Sequence, residues 1–108
     1  MEEMIKPNDY VRTHKGKIYK VTNVYILKIT CGHTSLRYND IKSHSQNIID
    51  LIEVGDYVNG HLVVDKRKEE VQEIEVESDY LIHHCLKEED IKSIVTHGSF
   101  NSIKYEVI

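Results

Sequence analysis

The chain has 108 residues, of which 40% are hydrophobic and 30% charged, the balance of one ordinary globular domain or two very small ones. No apolar run approaches the roughly 18 residues of a membrane-spanning helix, and two cysteines make no disulfide framework. A chain this short buries only about two-thirds of its unfolded surface, which argues against a large enclosed substrate pocket.

In chain order, Met1–Lys6 is a polar lead-in, and Met1–Tyr10 as a whole predicts no signal peptide. A cytoplasmic, reduced setting follows as the default. The stretch Ile5-Lys6-Pro7-Asn8-Asp9-Tyr10-Val11 reads as a tight turn feeding a strand, with Asn8 able to take a positive φ and Asp9 able to hydrogen-bond nearby backbone. Strands are expected over Asp9–Thr13, Lys17–Val21, Val24–Cys31 and Ser35–Tyr38, with turns at His14-Lys15-Gly16, Thr22-Asn23 and Cys31-Gly32-His33-Thr34. Asn39–Ser43 predicts one helical turn capped by Asn39, and Ile48–Ile52 a closing strand.

The opening then recurs. Ile52-Glu53-Val54-Gly55-Asp56-Tyr57-Val58 repeats the pattern Ile-x-x-(Asn/Gly)-Asp-Tyr-Val, with Gly55 at the place of Asn8. Asn59-Gly60 is a hairpin signal, followed by expected strands over His61–Lys66, Val71–Val76, Tyr80–Leu86, Ile91–Thr96 and Lys104–Ile108. A second helical turn is expected over Thr96–Asn101, and Lys87–Val95 carries a competing helical pattern, with strand preferred at its Ile91 end. The fold class expected is all-β: two tandem small SH3-like barrel units packed together, residues 1–52 and 53–108, with one or two single-turn helices.

The two halves differ in charge. Residues 1–52 carry a net of about +3 and residues 53–108 a net of about −7. In the first half Arg12, Lys15, Lys17 and Lys20 interleave with Tyr19, a pattern able to neutralise phosphates and stack a base. In the second half Glu73, Glu75 and Glu77 alternate, so a strand would align them on one face with Ile74 and Val76 turned inward. Such a row presents a phosphate-like field to a basic partner, as an inhibitor of a nucleic-acid-binding protein would. Its bland reading is a charged sheet edge that resists pairing.

Cys31-x-His33 and His83-His84-Cys85 are the only arrangement resembling metal ligands. The spacing is not that of a zinc finger, so no metal or other cofactor is expected. Cys85 and His84 are neighbours and fall on opposite strand faces, which spoils a nucleophile–base pair. With no phosphate-binding glycine loop either, no enzymatic activity is expected.

The segments Ser43–Gly60 and Ile91–Phe100 through Tyr105-Glu106-Val107, with Asn8–Thr13, resemble small proteins of clostridial and other Firmicutes phages and prophages. The resemblance covers about half the chain and implies a mobile-element context. Asp9–Arg12 through Gly16-Lys17-Ile18 also resembles, over about a dozen residues, the opening of a KOW-type SH3-like module. Together these give the expectation of a small non-enzymatic phage or prophage binding protein, directed at another protein, with a homodimer as a further possibility. The alternatives are a nucleic-acid-binding module using the basic first unit and a structural or assembly component of a virion.

Overall fold

The structure is a computed structural model that describes residues 4–68, 72–77, 83–97 and 103–106. It is all-β, with three single 3-10 turns among the described residues. The chain divides into two compact units, Met1–Leu51 and Ile52–Ile108.

The first unit holds strands β1 (Tyr10–Thr13), β2 (Ile18–Lys20), β3 (Asn23–Val24), β4 (Lys28–Cys31), β5 (Thr34–Arg37) and β6 (Ile41–Ser45). They form two three-stranded sheets ordered β2-β1-β6 and β3-β4-β5. Val11, Val21, Ile29, Cys31 and Leu36 are buried together as its core, with Ile5, Tyr19, Val24 and Ile41 packed on the edge of that cluster. Neighbouring strand residues point to opposite sides, so Arg12, between Val11 and Thr13, is carried away from this cluster. It is still only 2% exposed, and its Nη1 donates to the carbonyl of Leu51 at 3.0 Å.

The second unit holds β7 (Tyr57–Val58), β8 (His61–Lys68), β9 (Gln72–Glu77), β10 (His83–Leu86), β11 (Ser93–Thr96) and β12 (Ile103–Glu106). All pairing is antiparallel, in one sheet ordered β10-β9-β8-β7-β11-β12. Ile52, Val58, Val63, Ile74, Val76, Ile91 and Ile94 are its buried apolar residues. The sheets are open and do not close into barrels, which corrects the expected barrel architecture.

The repeated opening folds as its residues dictate. Asn8 and Gly55 both have positive φ, 76° and 102°. Asp9 Oδ2 accepts the Lys6 amide at 2.9 Å and Asp56 Oδ2 accepts the Glu53 amide at 2.8 Å. The return bonds run from the Asp9 amide to the Lys6 carbonyl at 3.1 Å and from the Asp56 amide to the Glu53 carbonyl at 3.0 Å. The carboxylate thus closes a small ring on its own turn and launches the strand.

A second duplicated segment emerges from the structure. Asn39-Asp40-Ile41-Lys42-Ser43 matches Glu89-Asp90-Ile91-Lys92-Ser93 in four of five residues. Each contains the end of a 3-10 turn, Tyr38–Asp40 or Glu88–Asp90. Each aspartate accepts the amide three residues before it, Asp40 from Arg37 at 3.1 Å and Asp90 from Lys87 at 3.0 Å. The register then agrees between the units. Val11 pairs with His44 and Tyr10 with Ser45; Val58 pairs with Ile94 and Tyr57 with Val95. In both units the residue four after the second aspartate faces the valine two after the first.

Several expected elements differ. Val24–Cys31 is not one strand: Tyr25-Ile26-Leu27 separates β3 from β4. The helical turn expected over Asn39–Ser43 is a 3-10 turn one residue earlier, and Ile41–Ser45 is a strand because it supplies the second neighbour of β1. Ile48–Leu51 is a 3-10 turn instead of a strand. There Asp50 accepts a hydrogen bond from Ser45 Oγ, and the Asp50 amide donates to the Asn47 carbonyl at 3.0 Å, so local polar bonds override β-branched preference. The helical pattern over Lys87–Val95 gives a 3-10 turn and then strand β11. The turn expected over Thr96–Asn101 lies, past His97, outside the described residues.

Candidate functional site

The first unit carries an apolar groove of about 750 Å³, lined by Met4, Ile5, Val24, Tyr25, Ile26, Tyr38, Ile41 and His44. The β3–β4 connection builds one wall. The Tyr25 amide donates to the Lys28 carbonyl at 2.9 Å, closing a four-residue turn. The Tyr38 hydroxyl donates to the Tyr25 carbonyl at 2.5 Å and braces the turn from the 3-10 turn that follows β5. Ile26 and Leu27 occupy its two central positions and stand 94% and 82% exposed. The Lys28 ammonium lies 5.9 Å from the centre of the Tyr25 ring. Two adjacent, almost fully exposed aliphatic side chains on a hydrogen-bonded turn are an unusual surface for an isolated molecule.

A smaller hollow of about 310 Å³ lies at the β1–β2 turn, lined by Thr13, His14, Lys15, Lys17, Tyr19, Leu36, Asn39 and Asp40. It gathers three of the five residues that the sequence marks for nucleic acid: Lys15, Lys17 and Tyr19. The other two lie elsewhere. Arg12 is buried with its guanidinium on the Leu51 carbonyl. Lys20 follows Tyr19 on β2, so it points to the other side of the strand, and its ammonium lies 5.8 Å from the centre of the Tyr10 ring.

Glu73, Glu75 and Glu77 share one face of β9, all half-buried, while Ile74 and Val76 are turned inward at 0% and 1% exposure. Asp65 faces Glu75 across the β8–β9 pairing, and Arg67 faces Glu73. Arg67 also reaches Glu75 at 3.5 Å. Strand β9 is paired on both sides, with β8 and β10, so this row is a sheet face and not a charged edge. Glu69, Glu70 and Asp79, the rest of the acidic stretch, lie outside the described residues.

Cys31 is buried in the first unit, and burial raises its thiol pKa. Cys85 is exposed on β10, and His33 is exposed in the β4–β5 turn. Among the described residues no three or more His, Cys, Asp or Glu gather as metal ligands. No helix among them is long and apolar enough to cross a membrane.

Sequence reasoning missed the Tyr25–Leu27 wall because Val24–Leu27 is an unbroken apolar run that reads as strand. The available signal was the lack of alternation: a strand covered on one side cannot turn four consecutive apolar side chains inward. Comparison of the chain with protein-family models, curated proteins and solved structures gave no match.

Proposed function

We propose that this chain is a small non-enzymatic binding protein directed at another protein, in the bacterial cytoplasmic setting of a phage or prophage. The observation that carries the reading is the braced Tyr25–Lys28 turn, which holds Ile26 and Leu27 in solvent beside an apolar groove. Interface hot spots are commonly an apolar anchor seated in a complementary pocket, and a hydrogen-bonded turn lowers the ordering cost of binding. The occupant of the groove is an apolar segment of the partner protein. The acidic face of Asp65, Glu73, Glu75 and Glu77 in the second unit is a separate surface suited to a basic region of a protein. We read the two units as diverged copies of one SH3-like module, on their shared turns and common register.

The test is capture from bacterial host lysate by immobilised protein, with the captured chain identified and re-bound in purified form. The pair Ile26→Asp and Leu27→Asp should abolish re-binding while leaving the urea midpoint unchanged, since both side chains are exposed. Re-binding indifferent to that pair would overturn the reading, as would a dimer in light scattering that the same pair dissolves.

A further inference from the structure

We propose that the hollow at the β1–β2 turn binds one nucleotide of a single-stranded nucleic acid, with the base on Tyr19 and flanking phosphates on Lys15 and Lys17. The site shares no lining residue with the apolar groove and stands independently of it.

The turn is fixed before any ligand arrives. The Thr13 amide donates to the Lys17 carbonyl at 2.8 Å, the Gly16 amide to the Thr13 carbonyl at 2.9 Å, and the His14 amide to the Asp40 carbonyl at 3.0 Å. The Lys17 amide donates to Thr13 Oγ1 at 3.1 Å. Gly16 supplies the positive φ, 91°, that closes the loop. Lys15 and Lys17 are therefore held by braced backbone, and among the described residues neither makes an ion pair. Cations held on a rigid loop and not engaged in an ion pair favour an anion, with the Asp40 carboxylate as the one acidic side chain of the lining.

Tyr19 is half-buried, packed on the core cluster and exposed to the hollow. An aromatic ring fixed on one side and open on the other is a stacking platform for an unpaired base. The volume, about 310 Å³, lies at the small end of the roughly 300–1,000 Å³ that ligand pockets occupy, which suits one nucleotide and not a duplex. The first half's net charge of only about +3 also gives little of the backbone attraction that duplex binding draws on.

Asn39 and Asp40 complete the wall. One carboxylate oxygen of Asp40 takes the Arg37 amide at 3.1 Å, which leaves the other able to accept a hydrogen bond. A carboxylate repels phosphate but accepts from an exocyclic amino group, as aspartate does from cytosine. The site therefore favours cytosine over thymine or uracil.

The experiment is fluorescence anisotropy with labelled ten-nucleotide oligo(dC), oligo(dT) and oligo(rC), a mixed-sequence DNA duplex, and cytidine monophosphate as competitor. Saturable binding of oligo(dC) or oligo(rC) is expected, tighter than oligo(dT). With two phosphates engaged, log K should fall against log salt with a slope of about −1.4. Lys15→Gln with Lys17→Gln should weaken binding at least tenfold. Tyr19→Leu, which keeps an apolar side chain against the core, should weaken it about five- to 150-fold at an unchanged urea midpoint. Lys20→Gln should stay within twofold. Absence of saturable binding, duplex binding as tight as oligo(dC), or a loss from Lys20→Gln equal to that from Lys17→Gln would each overturn the proposal. Cytidine monophosphate binding as tightly as the oligomer would overturn the single-strand assignment in favour of a free nucleotide. If Tyr19→Leu lowers the midpoint, the lysine pair against Lys20→Gln decides alone.

Discussion

Asp56 joins the start of β7 to the end of β11 through His97. One carboxylate oxygen accepts the Glu53 amide at 2.8 Å and the other accepts the His97 amide at 3.0 Å. The His97 ring closes the loop, with Nε2 3.0 Å from Glu53 Oε1. Asp56 is fully buried, at 0% exposure, and its carboxylate carries both bonds. Asp56→Ala should lower stability by about 3 kcal/mol, and Asp56→Asn by less because an amide oxygen still accepts. Urea titration followed by tyrosine fluorescence measures both. A loss under about 1 kcal/mol for Asp56→Ala would show that water reaches the freed amides.

Asn59 tests whether turn preference or side-chain bonding dominates. Its φ of 53° suits glycine as well as asparagine. Its side chain, however, accepts the Lys92 amide at 2.7 Å and the Ser93 amide at 3.0 Å, and donates to the Asp90 carbonyl at 2.7 Å. Asn59→Gly should therefore cost about 2 kcal/mol, although turn statistics alone predict neutrality. The urea midpoint decides between them.

Backbone handedness sets the next pair of variants. Gly55, at φ 102°, gains a strained residue on Gly55→Ala, and its new Cβ would meet the His97 ring at 3.5 Å. The expected cost is about 1–2 kcal/mol. Asn8→Gly, at the matching turn of the first unit, should stay within about 0.5 kcal/mol, since glycine adopts the same φ freely. Equal effects at the two positions would break the equivalence of the turns.

The two thiols should separate cleanly. Cys85 is exposed and Cys31 buried, so iodoacetamide should modify one cysteine rapidly and the second only on unfolding. Burial raises the Cys31 pKa, so the folded state resists the thiolate. This group costs no stability below the thiol's ordinary range and costs increasing stability as pH rises above about 8.5. Cys31→Ala should remove that component of alkaline destabilisation, read from urea midpoints between pH 7 and 10.

The residues that announced their structure were those whose side chain or φ acts locally. Asn8, Gly55 and the Asn59-Gly60 pair each specify a turn within a few residues, and the aspartates of the repeat bond to backbone three positions away. Alternation placed Glu73, Glu75 and Glu77 on one face of β9 because Ile74 and Val76 have a core to enter. What stayed hidden depended on partners distant in sequence. Arg12 is basic and sits in a basic stretch, yet a carbonyl 39 residues away draws it inward. Ile41–Ser45 has no strand signature of its own and is extended because β1 offers it a ladder. The Tyr25 turn depends on a hydroxyl 13 residues away, on Tyr38.

The shared register of the two units has a kinetic consequence. A chain that carries the same strand-pairing instruction twice can pair β1 with β11, or β7 with β6, while it folds, and tandem relatives are prone to this misassembly. The partner residues limit it. Val58 is fully buried opposite Ile94, which is also buried, whereas Val11 faces the half-exposed His44. An exchange would press an imidazole into a closed apolar position and leave an isoleucine at a wetter one. The contrast between His44 and Ile94 thus works as a sorting label, favouring each strand's own neighbour over the one in the other unit.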